Sequence, residues 1–371
     1  MAASSPTILG LPASPNHVQG SMSSMKAIAP YLAMIVSTLA YGGTNILGKL
    51  AIERGLNCFV LNVYRHLIAM MIFGPLSYVL ERNQRPPLSL SILMKIFVLT
   101  LFGATIHLNL FYIGLDYTPP TVASALSSVI PVLTFTLAVL FRMEKVKIKS
   151  AKGIAKLIGA LVCITGALLF TFWQGPLLPG FVKRPLIIVQ GKNSGHGSKH
   201  YKDDWIKGSL LIFIANATFS VWFILQAKVC EVYSARLMMN TLIGFFASLQ
   251  SAVAALIFDR NASSWKLEWN LQLITVLYSG IVISGLSYYL QTFCISKKGP
   301  VFAAMFSPLN LVLVALFSAF FFAERLHLSS LIGAFAMISG LYMVLWGKSK
   351  ESDEEEERVA KVLPSERNPV T

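Results

Sequence analysis

The chain has 371 residues, of which 55% are apolar and 13% are charged, and its formal net charge is +14. The charged share is about half of that in an ordinary soluble domain. Since a soluble fold needs charged side chains to cover its surface, this composition excludes a soluble globular protein, a disordered chain and a secreted disulfide scaffold.

Residues 1–26 do not resemble a signal peptide. Their only charge is Lys26, directly before the first apolar run, and serine and proline are scattered through them. This composition is typical of a disordered tail that precedes an uncleaved first helix. We therefore expect residues 1–26 to be a disordered tail.

Ten apolar runs then follow one another along the chain, and each can cross the hydrocarbon core, which needs about 20 apolar residues in a helix. Helices are expected because they satisfy their own backbone hydrogen bonds, which lipid cannot do. The runs are 27–48, 57–80, 94–115, 119–141, 153–173, 206–227, 236–258, 270–296, 299–322 and 326–347. The sequence therefore predicts an all-α integral membrane protein with ten transmembrane helices.

The cysteines do not form a recognisable motif. The four of them lie far apart, each in or beside an apolar run: Cys58, Cys163, Cys230 and Cys294. Without a C-x-x-C pair, neither a zinc ribbon nor a redox motif is available. We expect them to be small buried residues.

Lysines and arginines outside the runs predict how the chain crosses the membrane. With a cytoplasmic N-terminus, 19 of the 31 lie in cytoplasmic segments and 10 on the other side, six of these in the long 174–207 loop. Long loops contribute little to the positive-inside rule, so both termini are expected in the cytoplasm. The net charge is then mostly a topology signal, and a nucleic-acid partner is not implied.

The C-terminal tail, residues 348–371, carries six acidic residues between Glu351 and Glu357. A block of like charge is usually a solvated, disordered tail. We therefore expect this tail to be disordered and cytoplasmic. Ser352, which lies among the acids, is a candidate phosphorylation site.

The two halves of the chain match each other. Residues 120–127 (PTVASALS) align with 300–307 (PVFAAMFS) at an offset of 180 residues, and 158–166 (IGALVCITG) align with 332–340 (IGAFAMISG) at an offset of 174. The alternative is chance similarity between apolar helices. Because the matched segments contain proline and glycine as well as apolar residues, a duplication is the better explanation.

A duplicated unit of five spans has a consequence for its orientation. Five is odd, so the second copy enters the membrane upside down and the chain becomes an inverted repeat, the architecture of alternating-access transporters. We expect a first five-helix repeat in residues 27–173, an extracytoplasmic linker in 174–205 and a second repeat in 206–347.

Several motifs resemble a known family. They are GLDYTPPTVASA at 114–125, RMEK at 142–145, KGPVF at 298–302, FSPL at 306–309 and GLYMVLWGKSKE at 340–351. They resemble the plant drug/metabolite exporter branch of the drug/metabolite transporter superfamily, also called nodulin-21-like, walls-are-thin-related or UMAMIT, in which each half is an EamA domain. The resemblance covers roughly residues 27–351. It implies a ten-helix facilitator or exporter whose cargo is most often an amino acid and in some members auxin. The expected location is a plant membrane, and the plasma membrane is favoured over the vacuolar membrane.

Arg65 is the clearest candidate for binding the transported solute, the cargo. An ionisable residue inside a span costs free energy and is a functional candidate by default. Its guanidinium could clasp a carboxylate with two parallel hydrogen bonds. The alternative is a structural pair with a neighbouring backbone carbonyl or with Glu53.

His107, in the third run, has two interpretations. It could relay protons, since imidazole titrates near physiological pH. Alternatively it is a neutral histidine that forms hydrogen bonds between helices.

Two aromatic–amide pairs lie on the matching first and sixth runs. Asn45 follows Tyr41 by one turn and Gln226 follows Trp222 by one turn, so each pair shares a helix face. An aromatic ring beside an amide suits a small zwitterionic or aromatic cargo. The alternative is hydrogen bonding between helices.

Small residues and prolines mark the fourth and ninth runs. Ser127 and Ser307 belong to stripes of small residues, which let helices approach closely or form the wall of a cavity. Pro131 and Pro308 break helical hydrogen bonds in mid-span and permit a bend.

No catalytic motif appears in the sequence. We find no nucleotide-binding loop, H-E-x-x-H, G-x-S-x-G or pair of catalytic carboxylates, so we expect neither an enzyme nor a cofactor. His196 and His200 are four residues apart in a glycine-rich loop and are a weak candidate for a metal site, so no metal is expected. The expected partners are a small-molecule solute and the lipid bilayer, and a homo-oligomer stays open.

The function that the sequence favours is secondary transport or facilitated diffusion of small organic solutes. Amino acids and auxin-like carboxylates are the favoured solutes. One alternative is a nucleotide-sugar or sugar-phosphate carrier, which would need several cations near the midplane, whereas beyond Arg65 the runs offer little except Lys49 near an end. Another is a non-transporting receptor or scaffold, which has no need of a repeat.

Overall fold

A computed structural model of the chain describes residues 15–83, 85–144, 150–173, 176, 200–258, 262–267, 269–321 and 327–362. Ten long helices, two of them broken, account for most of these residues. They are α1 (Pro15–Glu53), α2 (Cys58–Leu80), α3 (Leu90–Tyr117), α4 (Pro120–Ser127 and Ile130–Leu140), α5 (Ala151–Phe172), α6 (His200–Val232), α7 (Arg236–Phe258), α8 (Leu271–Lys298), α9 (Pro300–Ala304 and Ser307–Phe321) and α10 (Leu328–Val362).

Nine of the described helices, α2 to α10, contain a segment long and apolar enough to cross a membrane. The first predicted run, 27–48, lies in α1, where the buried polar residues Thr38, Thr44 and Asn45 lower the apolar character. This helix packs inside the bundle against α8 and α9. The prediction of an all-α membrane protein is therefore confirmed.

The predicted tails and linker need correction where the structure describes them. Helix α1 already begins at Pro15, α6 begins at His200, and α10 continues to Val362, so parts of all three segments are helical rather than irregular. The acidic tail can stay helical because glutamate is a good helix former. The remaining residues of these segments, with His196, and the side chains of His200 and Ser352 lie outside the described part.

Side-chain caps determine where several helices begin. The Asn57 side chain accepts hydrogen bonds from the backbone N–H groups of Phe59 and Val60 at the start of α2. Ser150 caps α5 in the same way, and Asn270 caps α8. Such caps satisfy N–H groups that have no partner inside the helix.

Helix α3 contains a π-helical turn at Leu101–Ile106. The Asn109 side chain donates to the carbonyl of Thr105 inside this turn at 2.8 Å, and Asn62 of α2 donates to the Asn109 oxygen at 2.7 Å. A π turn changes which residues of the helix face inward. The two asparagines thereby fix this change at the middle of α3.

Helix α8 has the matching feature at Ser279–Ser287. There Asn240 of α7 donates to the carbonyls of Ser284 and Gly285 at 3.3 and 3.1 Å. Asn240 follows Asn62 by 178 residues, so the two repeats use the same device at equivalent places.

Helices α4 and α9 are each broken in their first half, at residues 128–129 and 305–306. Pro131 is the second residue of the second segment of α4, and Pro308 is the second residue of the second segment of α9. Proline lacks the N–H that a continuous helix would use and is well suited to a first turn. Ser127 is the last residue before the break in α4, and Ser307 is the first residue after the break in α9.

Helices α5 and α10 cross at two glycine pairs. A Cβ added to Gly340 would lie 2.5 Å from the carbonyl oxygen of Gly159, and one added to Gly333 would lie 2.6 Å from that of Gly166. Glycine therefore allows the two backbones to touch. The same offset of 174 residues relates Gly159 to Gly333 and Gly166 to Gly340. Each pair is thus the image of the other under an inverted repeat.

Two charged residues outside the centre hold helix ends in place. The Lys49 Nζ donates to the carbonyls of Leu115 and Asp116 at the C-terminal end of α3, at 2.7 and 3.0 Å, and lies 3.7 Å from a Glu53 carboxylate oxygen. A cation is favoured at the C-terminal end of a helix. At the end of α4, Glu144 lies 3.8 Å from Lys156 of α5.

Candidate functional site

A cavity lies near the middle of the bundle, between α1, α3, α4, α6, α8 and α9, with one side chain from α2. It has about 100 Å³ open to the centres of water-sized molecules. One water needs about 10–15 Å³ by this measure, so the cavity has room for several waters or a small organic molecule. Its lining residues are Met34, Thr38, Tyr41, Thr44, Asn45, Arg65, His107, Leu108, Phe111, Tyr112, Ser127, Ile130, Asn216, Phe219, Phe223, Ile283, Gln291, Ala303, Phe306, Ser307 and Asn310.

Six of the eight predicted binding residues line this cavity. They are Arg65, Tyr41, Asn45, His107, Ser127 and Ser307. The other two, Trp222 and Gln226, are buried on α6 but are not part of the lining. The structure therefore brings residues from five helices of both repeats to one place, and leaves one predicted aromatic–amide pair outside it.

Arg65 is only 1% exposed and contributes the guanidinium of the site. Its Nε donates to the Ser284 hydroxyl at 2.8 Å, and its Nη1 donates to the Tyr112 hydroxyl at 3.1 Å. The Nη2 atom is buried without a hydrogen-bond partner. The described residues thus orient the guanidinium and leave one of its nitrogens unsatisfied.

No carboxylate of the described residues forms an ion pair with Arg65. Glu53, the predicted structural alternative, lies beside Lys49 instead. A buried charge without a counter-charge is costly, and an unsatisfied buried donor requires an explanation. An anionic group in the cavity would supply both the charge and the missing acceptor.

His107 presents its ring to the cavity from α3. Its Nδ1 lies 2.9 Å from the carbonyl oxygen of Ala215, and its ring stacks on Phe219 at 4.3 Å between centroids. Because a carbonyl can only accept, Nδ1 carries the hydrogen, and in the neutral ring Nε2 is left as an acceptor. The histidine therefore joins α3 to α6 and still offers one acceptor.

Amides and hydroxyls cover the side of the cavity formed by α1. The Tyr41 hydroxyl donates to the Gln291 side-chain oxygen of α8 at 3.3 Å, and Asn45 donates to the Ser124 hydroxyl of α4 at 3.4 Å. Thr44 has a buried hydroxyl without a partner. The bond between Tyr41 and Gln291 joins the two repeats, and the bond between Asn45 and Ser124 joins α1 to α4 within the first.

The opposite side is formed by the broken helices and by α6. Ser127 donates to the backbone oxygen of Ala123 at 3.0 Å and to the Asn216 side-chain oxygen at 3.3 Å. The Asn216 Nδ2 and the Asn310 Oδ1 are both buried without partners. One is a donor and the other an acceptor, so this wall can bind groups of either kind.

Three amide residues of the lining were not predicted from the sequence, namely Asn216, Gln291 and Asn310. Each lies inside an apolar run, where an amide is an exception, and that exception was the available signal. Amides inside spans also serve as links between helices, so their presence alone does not distinguish a binding site. The fold supplies the missing information, since it turns all three toward one space.

Aromatic rings form the apolar part of the wall. Phe219 stacks on Trp222 at 5.0 Å and meets Phe223 edge-on at 4.7 Å. Trp222 is thus the layer behind the lining rather than part of it. Phe111, Phe219 and Phe223 together give the cavity an aromatic, apolar part of its lining.

Among the described residues, no group of three or more histidine, cysteine or acidic side chains could hold a metal ion. The four cysteines, all within the described ranges, form no disulfide, and Cys163 and Cys294 each donate to a backbone carbonyl at 3.3 Å. The chemistry that the cavity offers is therefore binding: one cation, several amides and hydroxyls, and an aromatic wall.

Comparisons with known proteins agree with this arrangement. The model of the EamA-like transporter family matches residues 28–172 and again 206–346. WAT1-related protein At5g07050 of Arabidopsis thaliana is 40% identical over 87% of this chain and 81% of its own length. WAT1-related protein At5g64700 of the same plant is 40% identical over 88% of this chain and 92% of its own length.

A solved crystal structure has a similar fold at low sequence identity. It shares 15% identity, covers 84% of this chain and 98% of its own, and superposes with a TM-score of 0.59. At that identity the likeness concerns the fold alone.

Proposed function

The chain belongs to the EamA-like transporter family, and from that premise we propose that it is a secondary transporter or facilitator that carries small organic carboxylates across a plant membrane by alternating access. Amino acids and auxin-like acids are the proposed cargo.

The observation that carries this proposal is that Arg65 lines the central cavity and that its buried Nη2 has no hydrogen-bond partner. The guanidinium is already oriented by Ser284 and Tyr112 through its other nitrogens. A carboxylate can therefore bind without first ordering the side chain, which reduces the cost of binding. Charge-assisted hydrogen bonds of this kind are stronger than neutral ones.

The rest of the lining supports a cargo with both a polar and an apolar part. Gln291, Asn216 and Asn310 offer amide groups that suit an ammonium or a ring nitrogen, and Phe111, Phe219 and Phe223 supply apolar aromatic surface. A cavity with a few convergent polar groups and an aromatic wall is typical of small-molecule sites.

The fold supports alternating access because the cavity lies between two inverted repeats. In such carriers the two repeats exchange conformations and thereby expose one central site to each side in turn. The π turns of α3 and α8 and the breaks of α4 and α9 occur in pairs, one in each repeat, and provide matched points for such a change.

A pair of matched solutes tests the proposed function. We expect the full chain in proteoliposomes to take up radiolabelled indole-3-acetate at least several-fold faster than indole-3-ethanol, which lacks the carboxylate. Empty liposomes measure leakage. A chain that carries neither this acid nor radiolabelled phenylalanine would contradict the proposal and would leave a receptor or scaffold as the better function.

A nucleotide-sugar or sugar-phosphate carrier is less well supported. Phosphate groups would need several cations, and Arg65 supplies the one guanidinium or ammonium in the lining described here. Lys49, the other candidate cation, is engaged by the C-terminal end of α3 and is not part of the lining.

The proposed location is the plasma membrane, with both termini in the cytoplasm and the segment between the repeats outside. We expect an epitope tag at either terminus to resist protease in sealed right-side-out vesicles, and a tag inserted at residue 190 to be removed. The basis is the excess of lysine and arginine in the segments assigned to the cytoplasm. Cleavage of the terminal tags in intact vesicles would reverse the topology.

A further inference from the structure

Two buried side chains behind the cavity wall carry polar atoms without partners. Trp222 is 1% exposed and Gln226 is fully buried, yet the indole Nε1 of the first and the amide Oε1 of the second have no hydrogen bond. They lie one turn apart on α6. Buried polar groups are normally satisfied, so two orphans on one helix face require a reason.

The neighbours of these two residues come from α8. The Gln226 Nε2 donates to the Thr292 hydroxyl at 2.6 Å, and the Trp222 ring lies 5.4 Å from the Tyr288 ring. Thr292 and Tyr288 are buried as well. We call Trp222, Gln226, Tyr288 and Thr292 the inner cluster.

The inner cluster adjoins the cavity directly. Trp222 stacks on Phe219, a lining residue, and Thr292 follows Gln291, another lining residue. From there the cluster extends along α6 and α8 toward Val232 and Lys298, the ends that the proposed topology places at the cytoplasmic face. On α6 and α8 it therefore lies between the cavity lining and the helix ends assigned to that face.

The repeat gives this path a counterpart on the other side of the cavity. In the first repeat, α1 meets α3 where a Cβ on Gly48 would lie 3.0 Å from the Tyr112 ring. In the second repeat, α6 meets α8 at Gln226 and Thr292. Gln226 follows Gly48 by 178 residues and Thr292 follows Tyr112 by 180, so the two contacts are equivalent.

A second pair of contacts gives the same correspondence. Helices α3 and α6 touch where a Cβ on Gly114 would lie 2.9 Å from the Gly208 carbonyl oxygen. Helices α8 and α1 touch where Cys294 donates to the Pro30 carbonyl at 3.3 Å. Cys294 of α8 again follows Gly114 of α3 by 180 residues, and Gly208 of α6 follows Pro30 of α1 by 178.

The same separations match residues of the inner cluster with residues of the cavity lining. The counterparts in the first repeat are Tyr112 for Thr292, Leu108 for Tyr288 and Thr44 for Trp222. All three counterparts line the cavity in the present conformation. Three of the four residues of the inner cluster are thus the second-repeat versions of lining residues, while Gly48, the counterpart of Gln226, lies on the same helix as Thr44 but is not part of the lining.

We propose that the inner cluster is the closed form of the cytoplasm-facing half of the transport path, and that it becomes the cargo-contacting wall when the repeats exchange conformations. This inference rests on the proposed alternating access. In the open form, water or cargo satisfies the Trp222 Nε1 and the Gln226 Oε1. These two atoms lack partners in the sealed form because their hydrogen bonds are made in the open form.

The proposed inner wall has no cation to match Arg65. Equivalent residues of α2 and α7 are 178 positions apart, as Asn62 and Asn240 illustrate, since each helps to hold the π turn of its own repeat. The counterpart of Arg65 is therefore Ile243. A carboxylate on the inner path therefore meets an amide, a hydroxyl and two aromatic rings. After the carboxylate dissociates from the guanidinium, it does not bind to a second cation on this path.

Thiol labelling tests the proposal without depending on the cargo. The full chain with Gln226→Cys is placed in lipid nanodiscs, treated with a membrane-impermeant maleimide, and analysed as intact protein by mass spectrometry, so that native thiols are subtracted by comparison with wild type. The control is Ala247→Cys, which is equally buried on α7 but lies off the path. We expect the new thiol of Gln226→Cys to react at least tenfold faster than that of the control.

Thr292→Cys is a second, nearly isosteric probe for the case in which Gln226→Cys does not fold, and the same tenfold excess is expected. If the new thiols react no faster than that of Ala247→Cys, the inner cluster is ordinary core and the proposal is wrong.

A double variant, Gln226→Leu with Thr292→Val, separates a path from a structural link. Replacing both partners of a buried hydrogen bond by apolar groups of similar shape leaves the sealed form folded. We expect an unchanged melting temperature and at least a fivefold loss of indole-3-acetate flux. Unchanged flux would overturn the proposal. Absence of flux in the wild type, with fast labelling of Gln226→Cys, would contradict the proposed cargo and leave the path standing.

Discussion

Replacement of Arg65 by lysine is expected to reduce uptake of indole-3-acetate to well below half of the wild-type rate. Lysine keeps the positive charge, but its ammonium cannot reproduce the planar fork that donates to Ser284 and Tyr112 while it presents a further nitrogen to the cavity. Arg65→Gln should reduce uptake further and weaken binding of the acid more than it lowers the amount of folded protein. The measurements are initial uptake rate and protein abundance in the same membranes.

The matched control for Arg65 is Lys49→Gln. It removes another buried cation, one that holds the end of α3 and does not line the cavity. We expect this variant to lose folded protein and to reduce uptake of indole-3-acetate and indole-3-ethanol by the same factor. Arg65→Gln should instead lose the acid selectively. If Arg65→Gln stays abundant and carries both solutes as the wild type does, Arg65 is not a binding residue.

The crossing of α5 and α10 is expected to be the most sensitive packing site. In Gly340→Ala the new methyl group would lie 2.5 Å from the Gly159 carbonyl oxygen and 2.8 Å from the backbone nitrogen of Cys163. Since backbone atoms cannot move aside as a side-chain end can, the helices must separate. Overpacking of this kind costs roughly 1–3 kcal/mol. The melting temperature of the purified protein should fall clearly, and Gly340→Leu should yield little folded protein.

Gly74→Ala is the control for this packing prediction. A methyl group there would lie 3.6 Å from a Thr241 side-chain carbon, an ordinary contact. We expect it to keep the wild-type melting temperature. Gly166→Ala tests the repeat, since its methyl group would lie 2.9 Å from the Gly333 carbonyl oxygen at the equivalent pair. A melting temperature for Gly340→Ala equal to that of Gly74→Ala would show that this crossing does not require glycine.

The spans could be predicted from the sequence because their signal is local. A run of apolar residues identifies a membrane helix whatever surrounds it. Arg65 could be found for the same reason, since a charge inside such a run is costly wherever the helix lies. The helical extension of α10 to Val362 was missed because a block of acids indicates solvation and does not by itself indicate the backbone conformation.

The direction in which a side chain points could not be predicted as well. Tyr41 and Asn45 line the cavity, while Trp222 and Gln226, with the same spacing on the matching helix, lie behind it. Which face of α6 turns inward depends on its partners α3 and α8, and both contain π turns. A regular helical wheel does not include that change of phase, so it could not separate the two pairs.

The difference between Arg65 and its counterpart Ile243 has a consequence for the concentrations at which such a carrier works. In the proposed carrier, the path has a guanidinium on the side of Arg65 and none on the inner wall, so the acid binds with different strength from the two faces. Half-saturation is then reached at a lower concentration on the side where Arg65 faces the solution. At equal concentrations the net flow of an uncoupled carrier is still zero, because the binding and conformational steps form a closed thermodynamic cycle. The missing second cation therefore determines the concentration range over which each face responds, while the gradient alone determines the direction of flow.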